Sequence, residues 1–381
     1  MPEPIVTSIQ QHFGGVKDPR IDRCKRHQLL DILVIAICAV ICGADDWVEV
    51  EAFGNARLAW FKTFLALPHG IPSHDTFGRL FARLDPAQFQ ACFLRWIRAL
   101  AELLPAEVVA VDGKELCGSA DRAAGKAAIC LVSAWASAQH LVLGQVKVDE
   151  KSNEITAIPD LLDVLSLEGT IVTIDAAGCQ TAIAQKVIEK GGDYVLALKD
   201  NQPNLAADVA LLFQDAHRGG PDSPQTDQAE RIEKGHGRIE TRICTTIADP
   251  ALLAPLRRSE EWVKLKSLIE IHAQRQVHGE TTTKVRYYLS SLDGNAKTAL
   301  GVTRTHWSIE NSMNWVLDVA FREDDSRVRK DFGPENLGIL RRIALNLLKQ
   351  ETSLKVGVKA KRKAAGWDEA YLRQVLAPLL H

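Results

Sequence analysis

No two cysteines in this chain make a CxxC pair, so neither a zinc cage nor a redox pair is suggested. The eight (Cys24, Cys38, Cys42, Cys92, Cys117, Cys130, Cys179 and Cys244) are scattered through 381 residues. That excludes a secreted disulfide framework and points to a reducing, cytoplasmic compartment. An excess of charge of one sign is missing too. The net charge is -2, so the chain has no overall attraction to a polyanion, and any nucleic-acid contact must come from locally segregated basic faces. Long apolar runs are also missing. The most apolar stretch, ILVIAICAVIC at 32–42, falls short of the roughly 20 residues that a membrane span needs. The opening MPEPIVTSIQQHF has no basic stretch leading into an apolar one. Residues 29–42 are therefore expected as a buried core helix, with no membrane partner. No whole unit is repeated and no tract is of low complexity.

What is present is an ordinary globular composition in a chain too long for one core, which predicts two or three structural units. Apolar residues recur at helical spacing through 29–42, 47–67 and 87–104. Between them IPSHDTFGRLFARLDP offers Ser73 as an N-cap and Asp85-Pro86 as a stop. Together with the basic segment at 17–27, this reads either as a helix-turn-helix-like DNA contact or as a helical module packed on its neighbour.

From 105 the pattern becomes strand-like, with VVAVD (108–112), AICLVSAWAS (128–137) and HLVLGQVKV (140–148) close enough for antiparallel hairpins. A helix at 154–166, a strand IVTID (171–175), a helix at 181–192 and a strand YVLALK (194–199) follow. The expected class is α/β, a mixed sheet with helices on both faces. Residues 204–302 read as an insertion with its own β content, at 238–247, 262–276 and 282–291. Helices are expected again at about 305–320 and at 335–350, before a tail, 351–381, that carries KAKRK as a mobile basic arm.

Two of these strands stop on a single aspartate, Asp112 and Asp175. Strand C-termini are where α/β sheets bind ligands, although either residue alone reads equally as a turn cap. Together they favour a shared metal site. Its third member is expected on the helix HWSIENSMNWVLDVAFRED. There Ile309, Met313, Val316 and Ala320 form an apolar stripe, and Glu310 borders it with His306 and Asn314 a turn to either side. Asp318, Glu323, Asp324 and Asp325 compete with it, and most of them read better as solvated. An oxygen-only set suits magnesium or manganese, and two such ions can serve an in-line phosphoryl displacement. Glycoside hydrolysis by a carboxylate pair is disfavoured by a 6% aromatic content, which leaves little for sugar platforms.

At these residues the chain resembles the DDE transposases of bacterial insertion sequences, in the group that includes the H-repeat-associated proteins. The stretches that carry the resemblance are IPSHDTFGRLFARLDP, VVAVDGKELCGS, IVTIDAAGCQ, YVLALKDNQPNL, EKGHGRIETR, THWSIENSMNWVLDVAFREDDSRVR and PENLGILRRIALNLLK, in family order. The resemblance implies an RNase H-like catalytic core interrupted by a β-rich insertion, with a helical N-terminal module. The implied division is 1–104 for the module, 105–203 and 303–350 for the core, 204–302 for the insertion and 351–381 for the tail. It implies that Asp112, Asp175 and Glu310 are catalytic and hold two Mg2+ or Mn2+ ions. The chain departs from the family at Cys117, where related proteins often carry arginine, and at Thr303, His306 and Leu317, where a broader signature has tyrosine, arginine and lysine.

Basic residues near these motifs are candidates for DNA contact, each with an ordinary solvated or structural role as its alternative. They are Lys114 after Asp112, Lys199 after its strand, and the ribbon residues His236, Arg238 and Arg242. Arg304, His306 and Asn314 around the glutamate helix, and Arg327 and Arg329 after it, complete the set. Trp307 and Trp315 read as base-stacking or, more simply, as core. The expected function is a transposase that binds the terminal inverted repeats of its element, cleaves there and joins the ends to target double-stranded DNA. It would act as a homodimer, without a nucleotide cofactor, in the cytoplasm at the nucleoid. A domesticated DNA-binding copy and an RNase H-like nuclease that cuts without joining remain the alternatives.

Overall fold

Apolar spacing in the first hundred residues builds six helices: α1 (Pro4–Phe13), α2 (Leu29–Ile41), α3 (Trp47–Ala56), α4 (Leu58–Phe61), α5 (His74–Arg83) and α6 (Pro86–Leu100). The structure is a computed structural model and describes residues 4–100, 106–149, 152–221, 223–235 and 237–380. The expected boundary at 104 and the end of the helix expected to run to 104 lie outside the described residues. α2 is buried at every residue from Asp31 to Ile41, as a helix apolar all round must be. Ser73 stands at the N-cap of α5, with its hydroxyl 3.1 Å from that of Thr76. α5 buries Phe77, Leu80 and Phe81 against α3 and a later helix, so its apolar face is occupied by packing.

Three antiparallel strands follow, β1 (Val108–Leu116), β2 (Ile129–Ala136) and β3 (Leu141–Lys147), then α7 (Glu154–Val164), β4 (Ile171–Ile174), α8 (Thr181–Glu189) and β5 (Asp193–Leu198). β4 lies parallel to β1 and β5 parallel to β4. The strand order β3-β2-β1-β4-β5 is the RNase H-like arrangement implied by the resemblance. One boundary differs. β1 does not stop on Asp112 but runs on to Leu116, because Gly113 to Leu116 keep their antiparallel partners Val132 to Ile129 on β2.

The chain then forms α9 (Pro203–Arg218), β6 (Asp227–Gly235), β7 (Arg238–Ile247), α10 (Pro250–Leu253), β8 (Ser267–Val277) and β9 (Glu280–Ser290). These strands are not a separate sheet. β9 pairs antiparallel with β5, so the inserted strands extend the core sheet to nine, in the order β3-β2-β1-β4-β5-β9-β8-β7-β6. The expected long helix at 305–320 is replaced by α11 (Ala296–His306), a π-helical turn (Glu310–Asn314) and α12 (Trp315–Phe321). α13 (Gly333–Gln350) is buried along most of its length and packs on α2, α5, α6, β2 and β3.

The tail expected as a mobile basic arm is folded, as α14 (Val358–Trp367) and α15 (Glu369–Leu376). In KAKRK, Lys361 and Arg362 are 7% and 3% exposed. Arg362 donates to the carbonyls of Val40 and Ala44, pairs with Asp45 at 3.0 Å and lies over the Phe321 ring. Its guanidinium gathers the Val40 carbonyl at the end of α2, the Ala44 carbonyl in the turn beyond it and the Ala320 carbonyl of α12, an arrangement that charge pattern alone does not reveal.

Candidate active site

Strand register places the first two carboxylates. Val108 to Val111 of β1 face Ile171 to Ile174 of β4, so the next pair in register is Asp112 beside Asp175. Neighbouring strands are about 4.8 Å apart and partners in register share a face. β4 ends there, and the Asp175 carboxylate turns back to accept from the backbone N–H groups of Ala177 (3.1 Å) and Gly178 (3.4 Å).

Glu310 arrives from the helices across that face. The π-helical turn carries it with Asn314, whose Nδ2 donates to Asp112 Oδ2 at 2.9 Å and to Glu310 Oε2 at 3.2 Å. Single π turns inserted in α-helices are frequent at functional sites. Here the wider turn aims one amide at carboxylates from two distant segments. Ile309 and Met313, 2% and 0% exposed, seat the turn on the core. His306 is half-buried, and its loss of solvation lowers its pKa. Its Nδ1 lies 2.9 Å from Thr173 Oγ1, two residues before Asp175 on the same strand face.

Asp112, Asp175 and Glu310 line one cleft of about 830 Å³, together with Lys199, Lys284, Arg286 and Trp307. None of the ion pairs among the described residues involves any of the three carboxylates. Burial first, and then the charges of Asp175, Glu310 and Glu154, push Asp112 up to about 7. An all-oxygen donor set carrying this much unrelieved negative charge fits a hard divalent cation.

Glu154 was not singled out by the sequence. It stands in the first turn of α7, beyond the N-cap Asn153, and burial and then the Asp175 charge raise its pKa. Gly113 admits it, since a Cβ at that position would strike the Glu154 carboxylate. Lys284 and Arg286 were also missed. Their period of two on β9 in TTTKVRYYL was the available signal. Arg286 lies over the Trp307 ring, 5.0 Å from its centre.

The other basic candidates divide. Lys199 is exposed at the cleft, 3.3 Å from Asp200. Lys114 is not at hand for a phosphate, because its ammonium bonds Asp318 at 2.9 Å and Asp324 at 3.1 Å. Arg242 is held by Glu233 and Glu240, Arg238 by Glu240 and Arg304 by Glu233. That network lies across β6, β7 and α11, and none of the three arginines lines the cleft. His236 lies outside the described residues. Arg327 is exposed, whereas Arg329 donates to the Gly118 carbonyl at 3.0 Å. Trp307 and Trp315 are 43% and 58% exposed, so neither is core. Among the competing acids, Glu323 is not solvated. It is 1% exposed and pairs with Arg342 at 2.9 Å.

The chain matches the family model described as "Transposase DDE domain" over residues 104–347 and the one described as "DDE_Tnp_1-associated" over residues 10–97. It is 39% identical to "Putative transposase YncI" of Escherichia coli O157:H7 over 98% of this chain and 95% of that one. To "H repeat-associated putative transposase YhhI" of Escherichia coli K12 it is 38% identical over 97% of each. Among solved structures, the cryo-EM piggyBac transposase synaptic complex with hairpin DNA is similar at a TM-score of 0.43 and 9% identity, covering 99% of this chain and 78% of that one. That likeness is too loose to argue from.

Proposed function

Because the chain belongs to the DDE transposase family, we propose that it binds the terminal inverted repeats of its element, cleaves DNA there and transfers the freed 3′ ends to target DNA. The observation that carries this reading is the convergence of Asp112 and Asp175, side by side in register, with Glu310, through the single amide of Asn314. In this reading the three carboxylates hold two divalent ions, and residues 1–104 form the module associated with the core. When bound, magnesium or manganese would stabilise the attacking and leaving oxygens of an in-line phosphoryl displacement.

The chain's own groups do the positioning. Asn314 fixes the Asp112 and Glu310 carboxylates relative to one another, and the His306–Thr173 contact steadies the strand end that presents Asp175. Lys199, Lys284 and Arg286 meet the phosphates along the cleft, and exposed Trp307, backed by Arg286, offers a face to an unpaired base. Water attacks the phosphodiester at the element end and the 3′ oxygen leaves. That 3′-hydroxyl then attacks a target phosphodiester at the same site, so bond energy is conserved and no nucleotide is consumed. Two ends require two copies of the chain.

The test is a duplex carrying one element end, incubated with Mg2+. The expected product is a nick that leaves a 3′-hydroxyl at the end, absent with Glu310→Gln although gel-shift binding persists. Equal nicking by Glu310→Gln would remove this residue from the site.

A further inference from the structure

A second group of ligand-type side chains takes no part in the reading above. His217 lies in the last turn of α9, while Glu270 and His272 stand two residues apart on β8 and so share one strand face. Their ligand atoms all lie within 4.8 Å of one another. His217 Nε2 is 2.6 Å and His272 Nε2 3.0 Å from Glu270 Oε1. Glu270 is 2% exposed, and no lysine or arginine among the described residues pairs with it. A buried carboxylate without a cation is costly. The His272 Nε2 is itself buried without a hydrogen-bond partner, despite lying close to that oxygen. Tyr287 faces Glu270 across the strand pair, the place an outer-shell partner of a metal ligand takes. His217 is exposed, which leaves one side of the cluster open to water.

We propose that His217, Glu270 and His272 form a binding site for a zinc-class transition-metal ion, with water in the remaining position. Two imidazoles and one carboxylate suit zinc and not magnesium. Bonds of about 2.0–2.1 Å at tetrahedral angles hold ligand atoms roughly 3.3 Å apart, a spacing that this trio reaches by small side-chain rotations. The ion ties the last turn of α9 to the sheet extension. The first turn of α9, through Pro203 and Ala206, and Tyr287 line the catalytic cleft, so the ion steadies a wall of that cleft without touching its carboxylates. This site does not depend on the transposase reading. It escapes the sequence pattern because 53 residues separate His217 from Glu270.

The test is a calorimetric titration of ZnCl2 into the full chain, stripped with a chelator and carrying Asp112→Asn, in excess Mg2+ so that the carboxylate cleft does not compete. One zinc per chain is expected. Both His217→Ala and His272→Ala should weaken it by more than about tenfold, the scale on which even outer-shell partners act. His217 is exposed, so its replacement leaves the core intact, and circular dichroism verifies this. With Co2+ in place of zinc, a visible absorption band is expected that vanishes in both variants. No zinc uptake, or uptake that both variants retain at full affinity, would overturn the proposal and leave a hydrogen-bonded His–Glu cluster only.

Discussion

The single most informative side chain is Asp112. Its carboxyl, pushed up to about 7 from an ordinary 3.8, binds a proton more tightly in the folded chain than in the unfolded one. As pH rises from about 4 to about 7, the metal-free fold therefore loses stability, on the order of 1–4 kcal/mol from this group. A cation binding there displaces the proton and relieves the repulsion. The thermal midpoint should thus gain more from Mg2+ at pH 8 than at pH 5.5, and Asp112→Asn should abolish the difference. Equal gains at both pH values would mean that Asp112 is not where the ion sits. Asn314 is the neighbour to test next. Asn314→Ala removes the amide shared by two carboxylates and should weaken Mn2+ binding by about 10–100-fold, the range for groups that orient ligands. Titration of the paramagnetic ion would measure it.

Elements matter through what their ends and turns allow. After β1, Gly118 lies so close to the loop beyond α12 that a Cβ would strike the Ser326 carbonyl and sit 2.6 Å from that of Asp324. Both are backbone atoms and cannot swing aside. Gly118→Ala should therefore cost about 1–3 kcal/mol, read as a lower urea midpoint at unchanged slope. The aspartates were legible in the sequence because a β-branched run ending on one acid is a local pattern, and the parallel pairing of β1 and β4 needs only those runs. β6 was not legible. DQAERIEKG is exposed at most positions, so no apolar alternation marks it, and its pairing with β7 alone makes it a strand. The π-helical turn was equally hidden, since ENSMN fits an ordinary helix and carries no local signal for a wider turn. Lys114 shows the opposite failure. Its place beside Asp112 suggested a phosphate contact, yet its neighbours Asp318 and Asp324 come from more than two hundred residues away.

At the scale of the whole molecule, the helical module, α13 and the C-terminal helices share one hydrophobic core with the sheet. Glu323 and Arg342, both fully buried at their side chains, fix α13 against the loop that leaves α12. Arg342→Met leaves that carboxylate buried and only distantly faced by Arg341 at 3.9 Å, so a loss of about 3–5 kcal/mol in chemical denaturation is expected. No membrane-crossing helix is found among the described residues. The central claim is that Asp112, Asp175 and Glu310 act together on DNA, and strand transfer tests it most directly. Pre-cleaved element ends and a supercoiled target are incubated in Mg2+ with the wild type and with Asp112→Asn, Asp175→Asn and Glu310→Gln. The account predicts joining by the wild type and a fall of at least about 100-fold in each variant, beyond the cost of outer-shell changes, with end binding retained. Joining that survives in any one variant, or wild type that binds the ends and never joins them, would contradict it.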